Sequence, residues 1–137
     1  HVKSVADLKG KNVAVVANSA GDIAASKVFG KASKHIKRFD NTPLALEELS
    51  AGGVDAAIGD VGVFAYYALQ NPEKQFNMAR DPSFEDQYFG IAVRKGNTKV
   101  LNEINEGLKK VIASGAYAKV YAKWFGEKAP VPVLPIK

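Results

Sequence analysis

Apolar, β-branched segments alternate with helical segments along the first half of the chain, and this alternation restricts the possible folds more than any other feature. The run at 11–17 (KNVAVVA) predicts a strand that is buried on both faces. After a turn of small residues, the spacing of Ile23, Val28 and Ala32 predicts a helix over 23–33. A strand, a short loop and a helix therefore form the first unit.

The next unit follows the same plan. Residues 36–40 alternate between apolar and polar side chains, which predicts a second strand. Thr42 is expected to cap a helix whose first residue is Pro43, because proline lacks the amide that this position leaves unbonded. The helix is expected to stop at Gly52-Gly53.

The third unit combines a strand over 54–58 with a helix over 61–69. Three βα units joined by short links argue for an α/β fold of three layers, in which helices cover a mostly parallel, open sheet. In such a sheet, ligands bind beyond the carboxyl ends of the strands. The loops that follow the first and third strands are therefore the expected location of a site.

The rest of the chain changes to a mostly helical pattern. Its longer helix has one apolar face, made of Val100, Leu101, Ile104, Leu108, Val111 and Ile112. The predicted segments are strands at 75–79 and 88–94, a helix capped by Asn97 or Thr98 and closed by Ser114-Gly115, a helix at 117–125, and an extended, proline-rich tail at 127–137.

Composition argues against several classes of function. With 137 residues, the chain is expected to form one compact domain. Its net charge of +5 would suit an anionic partner, but only three of its 19 basic residues are arginines, so nucleic-acid binding is not predicted. The chain has no cysteine and only two histidines, so neither a metal site nor a cofactor is predicted. No pattern indicates a nucleophile beside a base, so no catalytic residue is predicted.

Two loops are expected to meet at the carboxyl edge of the sheet. The first, Asn18–Asp22, offers the Ser19 hydroxyl and backbone amides at a helix N-terminus, which is a favourable place for an anion. The second, Gly59-Asp60, offers a carboxylate that can hold an ammonium group. An anion-binding loop opposite a carboxylate matches the zwitterion of a free amino acid.

Each of these features also has a purely structural interpretation. Asp60 could do no more than cap the helix that follows it. The first loop lacks the glycine spacing of a dinucleotide site and the Gly-Lys-Ser/Thr ending of a phosphate-binding loop, so it could be only a tight connection. A group of basic side chains is interpreted as a solvated helix face, with a surface for a partner or for lipid head groups as the alternative. The group comprises Lys27, Lys31, Lys34, Lys37 and Arg38.

Several phrases of the sequence, taken in order, resemble one protein family. They are SVADLKGK at 4–11, LSAGGVDAAIGD at 49–60, FGIAVRKGN at 89–97, SGAY at 114–117 and KWFG at 123–126. Over 4–126 the chain resembles the extracytoplasmic amino-acid-binding proteins of ABC importers, solute-binding family 3. This resemblance implies a periplasmic-binding-protein type II fold, in which two α/β lobes close on a small polar ligand.

The resemblance also implies an organisation for the chain. Residues 1–87 correspond to the second lobe, 88–126 to a hinge strand and the helices that normally pack on the first lobe, and 127–137 to the tail. The N-terminal part of the first lobe has no counterpart in this sequence, so the final helices are expected to expose apolar surface. We hypothesise that the C-terminal segment swaps onto a second copy, docks back on its own lobe, or pairs with a separate first-lobe fragment.

Binding roles follow from the resemblance residue by residue. Ser19 matches a loop threonine of the family, and Ala20 and Gly21 match amides that help to bind the carboxylate of the ligand. Asp60 matches the carboxylate that takes the α-amino group. Four positions depart from the family: Asn18 replaces a glycine, and Val16, Ala20 and Gly59 are small or apolar where a polar side chain often recognises the ligand.

The expected function is to bind a polar amino acid, or a similar zwitterion, and to deliver it to the membrane subunits of an ABC importer, without catalysis. The expected location is periplasmic or extracellular, and an N-terminal region outside this sequence could anchor the protein to the membrane. Two alternatives use the same fold: an enzyme that resembles cyclohexadienyl dehydratase, and the ligand-sensing domain of a receptor.

Overall fold

The computed structural model describes residues 2–84 and 88–126, so the predicted tail over 127–137 lies outside the described residues. The chain divides into two compact units, 1–85 and 86–137, and each is described by itself. The elements are a 3₁₀ turn (Val5–Leu8), β1 (Val13–Val16), α1 (Ala20–Phe29), β2 (Ile36–Phe39), α2 (Thr42–Ser50), β3 (Ala56–Ala57), α3 (Val61–Gln70), a second 3₁₀ turn (Pro72–Lys74), α4 (Thr98–Ala113) and α5 (Ala116–Phe125).

The first unit is built on a parallel sheet with the strand order β2-β1-β3. In the central strand, Val13 pairs with Ile36 on one side and with Ala56 on the other. Val13, Ala14 and Val15 are at most 1% exposed, as predicted for a strand covered on both faces. Apolar and mostly β-branched side chains suit this position because they fill both faces without leaving a polar group unbonded.

Helices cover both faces of the sheet. On one face, Val15 and Ile36 pack in a cluster with Ala25 of α1. On the other face, Ala14 packs in a cluster with Ala45 of α2. Successive side chains of a strand point to opposite faces, so the apolar run of β1 supplies both clusters. The α/β fold, with three layers and a mostly parallel, open sheet, is confirmed.

The first helix is present, but both of its predicted ends are wrong. α1 begins at Ala20 rather than Ile23 because Ser19 caps it, with the Ser19 Oγ accepting a hydrogen bond from Asp22 N at 3.2 Å. It ends at Phe29 because Gly30 has a φ of 86°, in the left-handed region where a helix stops.

The second helix begins one residue earlier than the sequence predicted. Asn41, not Thr42, is the N-cap, because the Asn41 Oδ1 accepts a hydrogen bond from Leu44 N at 3.1 Å. Thr42 and Pro43 are then the first two helical residues. Proline is tolerated in this turn because its missing amide would have had no partner within the helix.

Three strand predictions need correction. Only Ala56–Ala57 of the strand predicted over 54–58 pairs with β1. The strand predicted over 75–79 is wrong, because Gln75 is left-handed (φ 49°) and the segment pairs with no described strand. The strand predicted over 88–94 is also wrong. Its aromatic and β-branched residues favour an extended backbone, but a strand requires a hydrogen-bonded neighbour, and the described residues provide none.

The described part of the second unit contains α4 and α5, which pack against each other. Asn97 caps α4, because its Oδ1 accepts a hydrogen bond from Val100 N at 3.2 Å. Gly115, with a φ of 74°, separates the two helices. No residue described over 88–126 is buried, and apolar side chains of α4 such as Val111 are exposed. Within the described ranges, no helix is long and apolar enough to cross a bilayer.

Candidate functional site

The loop after β1 turns sharply into α1. Asn18 adopts a left-handed conformation (φ 60°), which asparagine tolerates better than most residues. Ser19 N donates a hydrogen bond to Val16 O at 3.2 Å, which closes the turn. The amides of Ala20 and Gly21 donate no hydrogen bond to any described residue. Two backbone donors are therefore available at the positive end of the helix dipole.

Gly21 holds this loop against the turn that follows β3. Gly21 is buried, and a Cβ atom at this position would collide with the carbonyl oxygen of Ile58 and lie 3.0 Å from Gly59 Cα. No side chain fits between the two backbone segments without moving one of them. The N-terminus of α1 and the turn after β3 are therefore in direct contact.

Asp60 is the N-cap of α3. Its Oδ1 accepts a hydrogen bond from Val63 N at 2.9 Å, so the interpretation of Asp60 as a helix cap is confirmed. The residue is exposed, and its Oδ2 accepts no hydrogen bond from the residues that the structure describes. Gly59 precedes it, and a Cβ there would meet the ring of Phe64 at 2.7 Å. Capping therefore occupies one oxygen of the carboxylate and leaves the other accessible.

The five residues predicted to bind a ligand lie at the same edge of the sheet. β1 and β3 are parallel, so both loops follow the carboxyl ends of their strands. One loop supplies donors and the other supplies a carboxylate, which is the pairing predicted for a zwitterion. The five residues are Ser19, Ala20, Gly21, Gly59 and Asp60.

The sequence analysis missed an ion pair behind this edge. Arg38 of β2 donates to the carboxylate of Asp22 in the first turn of α1, with Nε 3.0 Å from both oxygens and Nη2 2.9 Å from Oδ1. The signal was present in the sequence, because Arg38 lies two residues after Ile36 and so shares the face that packs on α1. A charged residue on that face needs a partner, and Asp22 is the acidic residue in the first turn of α1.

The pair determines the charge of the first turn. The hydrogen bonds from Arg38, together with those from Asn18 N and Ser26 Oγ, hold the pKa of Asp22 below its ordinary value. Desolvation opposes this shift, because the side chain of Asp22 is only 11% exposed. Asp22 is therefore a carboxylate at neutral pH, and the guanidinium of Arg38 compensates its charge.

The interpretation of the basic residues as one solvated helix face is wrong for four of the five, because only Lys27 lies on a helix. Lys37 lies on β2, and its Nζ donates to Glu48 Oε1 at 3.0 Å and to Gly53 O at 2.8 Å. Arg38 is bound to Asp22, as described above. Lys27 is exposed on α1, whereas Lys31 and Lys34 are exposed in the connection between α1 and β2.

This edge of the sheet can hold a small molecule that carries both charges. Backbone donors and the Ser19 hydroxyl suit a carboxylate, and Asp60 suits an ammonium group. In the part of the chain that the structure describes, no three His, Asp or Glu side chains lie close enough together to hold a metal ion. The backbone donors and the Asp60 carboxylate at this edge favour binding by hydrogen bonds and charge.

Comparison with known proteins identifies the family. Residues 4–127 match the profile of the bacterial extracellular solute-binding proteins, family 3. The chain belongs to this family. A probable histidine-binding protein of Neisseria gonorrhoeae is 41% identical over 128 residues, which cover 93% of this chain and 48% of the relative. The ABC transporter glutamine-binding protein GlnH of Bacillus subtilis is 33% identical, over 92% of this chain and 45% of its own length.

A solved structure shows the same fold. The arginine-, lysine-, histidine-binding protein ArtJ of Geobacillus stearothermophilus superposes with a TM-score of 0.71 and 43% identity, over 94% of this chain and 55% of the other. This match confirms a lobe of the periplasmic-binding-protein type II fold. The chain spans about half the length of the curated relatives described here, and these relatives are named as binding proteins, not as enzymes.

Proposed function

We propose that this family 3 protein binds an amino acid, without catalysis, at the edge formed by the loops after β1 and β3. The observation that carries this proposal is the contact of Gly21 with Ile58 and Gly59. This contact supports the proposal because it brings the N-terminus of α1 against the turn that carries Asp60. The relatives named for histidine, glutamine, arginine and lysine support an amino acid as the ligand.

The loop after β1 binds the α-carboxylate of the ligand. The amides of Ala20 and Gly21 donate hydrogen bonds to it, and the Ser19 hydroxyl, which already accepts from Asp22 N, has its own proton to donate. Backbone donors suit this role because they are fixed by the helix before the ligand arrives. The positive end of the α1 dipole adds to the attraction.

The turn after β3 binds the α-ammonium group. Asp60 Oδ1 remains bonded to Val63 N, while Oδ2 accepts from the ligand. Because the cap fixes the carboxylate, little side-chain freedom is lost on binding. Gly59 has no side chain that could screen Asp60 from the ligand.

The wider setting belongs to the same proposal. Residues 1–87 act as the second lobe of a binding protein, and 88–126 as the hinge segment and helices that pack on a first lobe. These helices pack on a first-lobe fragment or swap onto a second copy, and the exposed apolar residues of α4 and α5, such as Val111 and Val120, support such a partner. The complete protein delivers its ligand to an ABC importer in the periplasm or at the outer face of the membrane.

A titration followed by ¹H–¹⁵N NMR tests the proposal. L-histidine, L-arginine and L-glutamine are added to the wild-type chain in turn, because weak binding by one lobe still shifts amide signals. We expect one of them to shift the amides of Ala20 and Gly21 together with that of Asp60. Acetate, which has only the carboxylate, should shift the amides of the first loop alone.

The variant Asp60→Asn separates binding from capping. Asparagine caps helices about as well as aspartate, so stability should change little, while the charge for the ammonium group is lost. We expect affinity for the amino acid to fall about ten- to hundredfold, which corresponds to one charge-assisted hydrogen bond, and affinity for acetate to stay within about twofold.

Asp40→Asn is the matched control. Asp40 follows β2 at the same edge of the sheet and is also exposed, so this substitution removes the same charge outside the two loops. Its affinity for the amino acid should be that of the wild type. The proposal is wrong if the wild type shows no shift at Ala20 and Gly21, or if both variants weaken binding equally.

A further inference from the structure

Asp22 is the one charged residue that is buried among those the structure describes, and it lies beside the proposed carboxylate site. It is in the first turn of α1, the turn whose amides are proposed to bind a carboxylate. An uncompensated charge there would repel an anionic ligand and would itself occupy the positive end of the helix dipole. Two points therefore need an explanation: what Asp22 does in this turn, and which group compensates its charge.

The hydrogen bonds of Asp22 supply the reason. Its Oδ2 accepts from Asn18 N at 3.0 Å, and its backbone amide donates to Ser19 Oγ at 3.2 Å. These two bonds join both ends of the turn from Asn18 to the first turn of α1. Since Asn18 is in the left-handed region, the turn needs such a restraint to keep its shape. Asp22 therefore fixes the direction of the amides at Ala20 and Gly21.

Arg38 supplies the compensating charge. Its Nε and Nη2 both contact the carboxylate of Asp22, and Nη2 also donates to Ser26 Oγ at 3.2 Å and to Lys31 O at 3.0 Å. A planar guanidinium can make all these contacts at once because its donors have a fixed geometry. Arg38 thus reaches along α1 from its first turn to the residues that follow its last turn.

We propose that Arg38 is a positioning residue of the ligand site: it neutralises Asp22, so that Asp22 can shape the loop without repelling the carboxylate of the ligand. This inference rests on the function proposed above. Arg38 lies on β2, whereas the two binding loops follow β1 and β3. The inference is that Arg38 nevertheless raises the affinity for the ligand through its charge. Acetate is the appropriate probe, because it carries the carboxylate without the ammonium group.

A series of charge variants tests the role of Arg38. The same NMR titration with acetate, at constant ionic strength, is carried out on Arg38→Met, Asp22→Asn and the double variant. We expect Arg38→Met to weaken acetate binding about five- to tenfold, because it leaves Asp22 uncompensated. Asp22→Asn keeps an oxygen for Asn18 N and leaves Arg38 uncompensated, so it should tighten binding about twofold. The double variant should lie within about twofold of the wild type.

A purely structural role predicts a different order. If the pair only holds the loop together, every variant that breaks it weakens acetate binding, and the double variant is the weakest. That order, or an unchanged affinity in Arg38→Met, overturns the inference while the wild-type titration still supports the proposed function. Absence of acetate shifts in the wild type overturns the inference, and absence of shifts with all three amino acids overturns the proposed function as well. If Arg38→Met does not fold, the sign of the change in Asp22→Asn decides between the two roles.

Discussion

The two units of the chain use similar side chains in opposite ways. In the first unit, Val13 and Val15 are fully buried in a sheet that is covered by helices on both faces. In the second, Val111 and Val120 are exposed, and no residue described over 88–126 is buried. An apolar pattern in the sequence can therefore predict a strand or a helix without predicting that its side chains are buried. The first unit contains its own core, whereas α4 and α5 present apolar surface on which another surface can pack.

The largest effect expected from this difference is that of one substitution made in both units. Gly21→Ala places a methyl group against the carbonyl oxygen of Ile58, so α1 and the turn after β3 must separate. We expect a loss of about 3 kcal/mol in the free energy of unfolding, together with loss of amino-acid binding. Urea unfolding followed by circular dichroism measures the first effect.

Gly107→Ala in α4 is the matched change in the second unit. A Cβ at Gly107 meets nothing within 4 Å, and alanine is the better helix former, so we expect a gain of about 0.5–1 kcal/mol. If both substitutions change stability in the same direction, the two units do not differ in packing as described here. Because the second substitution is far from any backbone contact, it also controls for the effect of alanine itself.

A smaller effect is expected when a valine is shortened in each unit. Val15→Ala leaves a cavity in a site that is 1% exposed, and we expect it to cost about 2 kcal/mol. Val120→Ala, at a site 57% exposed, should change stability by no more than about 0.5 kcal/mol. Equal losses in urea unfolding would show that Val120 is covered in solution, which would support a second copy as the partner of α5.

The sequence predicted the order of strands and helices from β1 to α3 because their signals are local, although it misplaced both ends of α1 and the cap of α2. The apolar run of β1, the cap-forming residues and the glycines that end helices each act within a few residues. Ser19, Gly21 and Asp60 could be placed at one edge because a parallel sheet brings the loops after its strands together. The family resemblance then added the roles of these residues, which spacing alone left open.

What could not be predicted depends on contacts between distant residues. The segment at 88–94 has the composition of a strand, but pairing is a property of two segments, and composition describes only one. The short extent of β3 has the same origin. The pairing of Arg38 with Asp22 required knowing that β2 lies next to β1 and which of its faces meets α1. Charge alone predicted that the side chain of Arg38 is solvated, like those of the neighbouring lysines.

The smallest expected effect is the stability lost when one ion pair is broken in each unit. For the pair in the first unit, this loss depends on pH. Asp22 has a pKa below its ordinary value in the folded state, chiefly because of its hydrogen bond with Arg38. The unfolded chain then binds a proton more readily than the folded chain, so the contribution of Asp22 to stability is present above about pH 4. It is lost as the pH falls from about 4 through the lowered pKa.

Asp22→Asn removes this contribution and makes its size measurable. At pH 7 the variant should be about 1 kcal/mol less stable than the wild type, since the side chain of Arg38 is 32% exposed and solvent weakens the pair. The difference should shrink in thermal melts as the pH is lowered from 5 to about 2.5. Glu106→Gln breaks the pair with Lys109 in α4, where both side chains are more than half exposed, and should cost no more than about 0.5 kcal/mol at pH 7. A difference between Asp22→Asn and wild type that stays constant down to low pH would mean that Asp22 stabilises the loop through its shape and not through its charge.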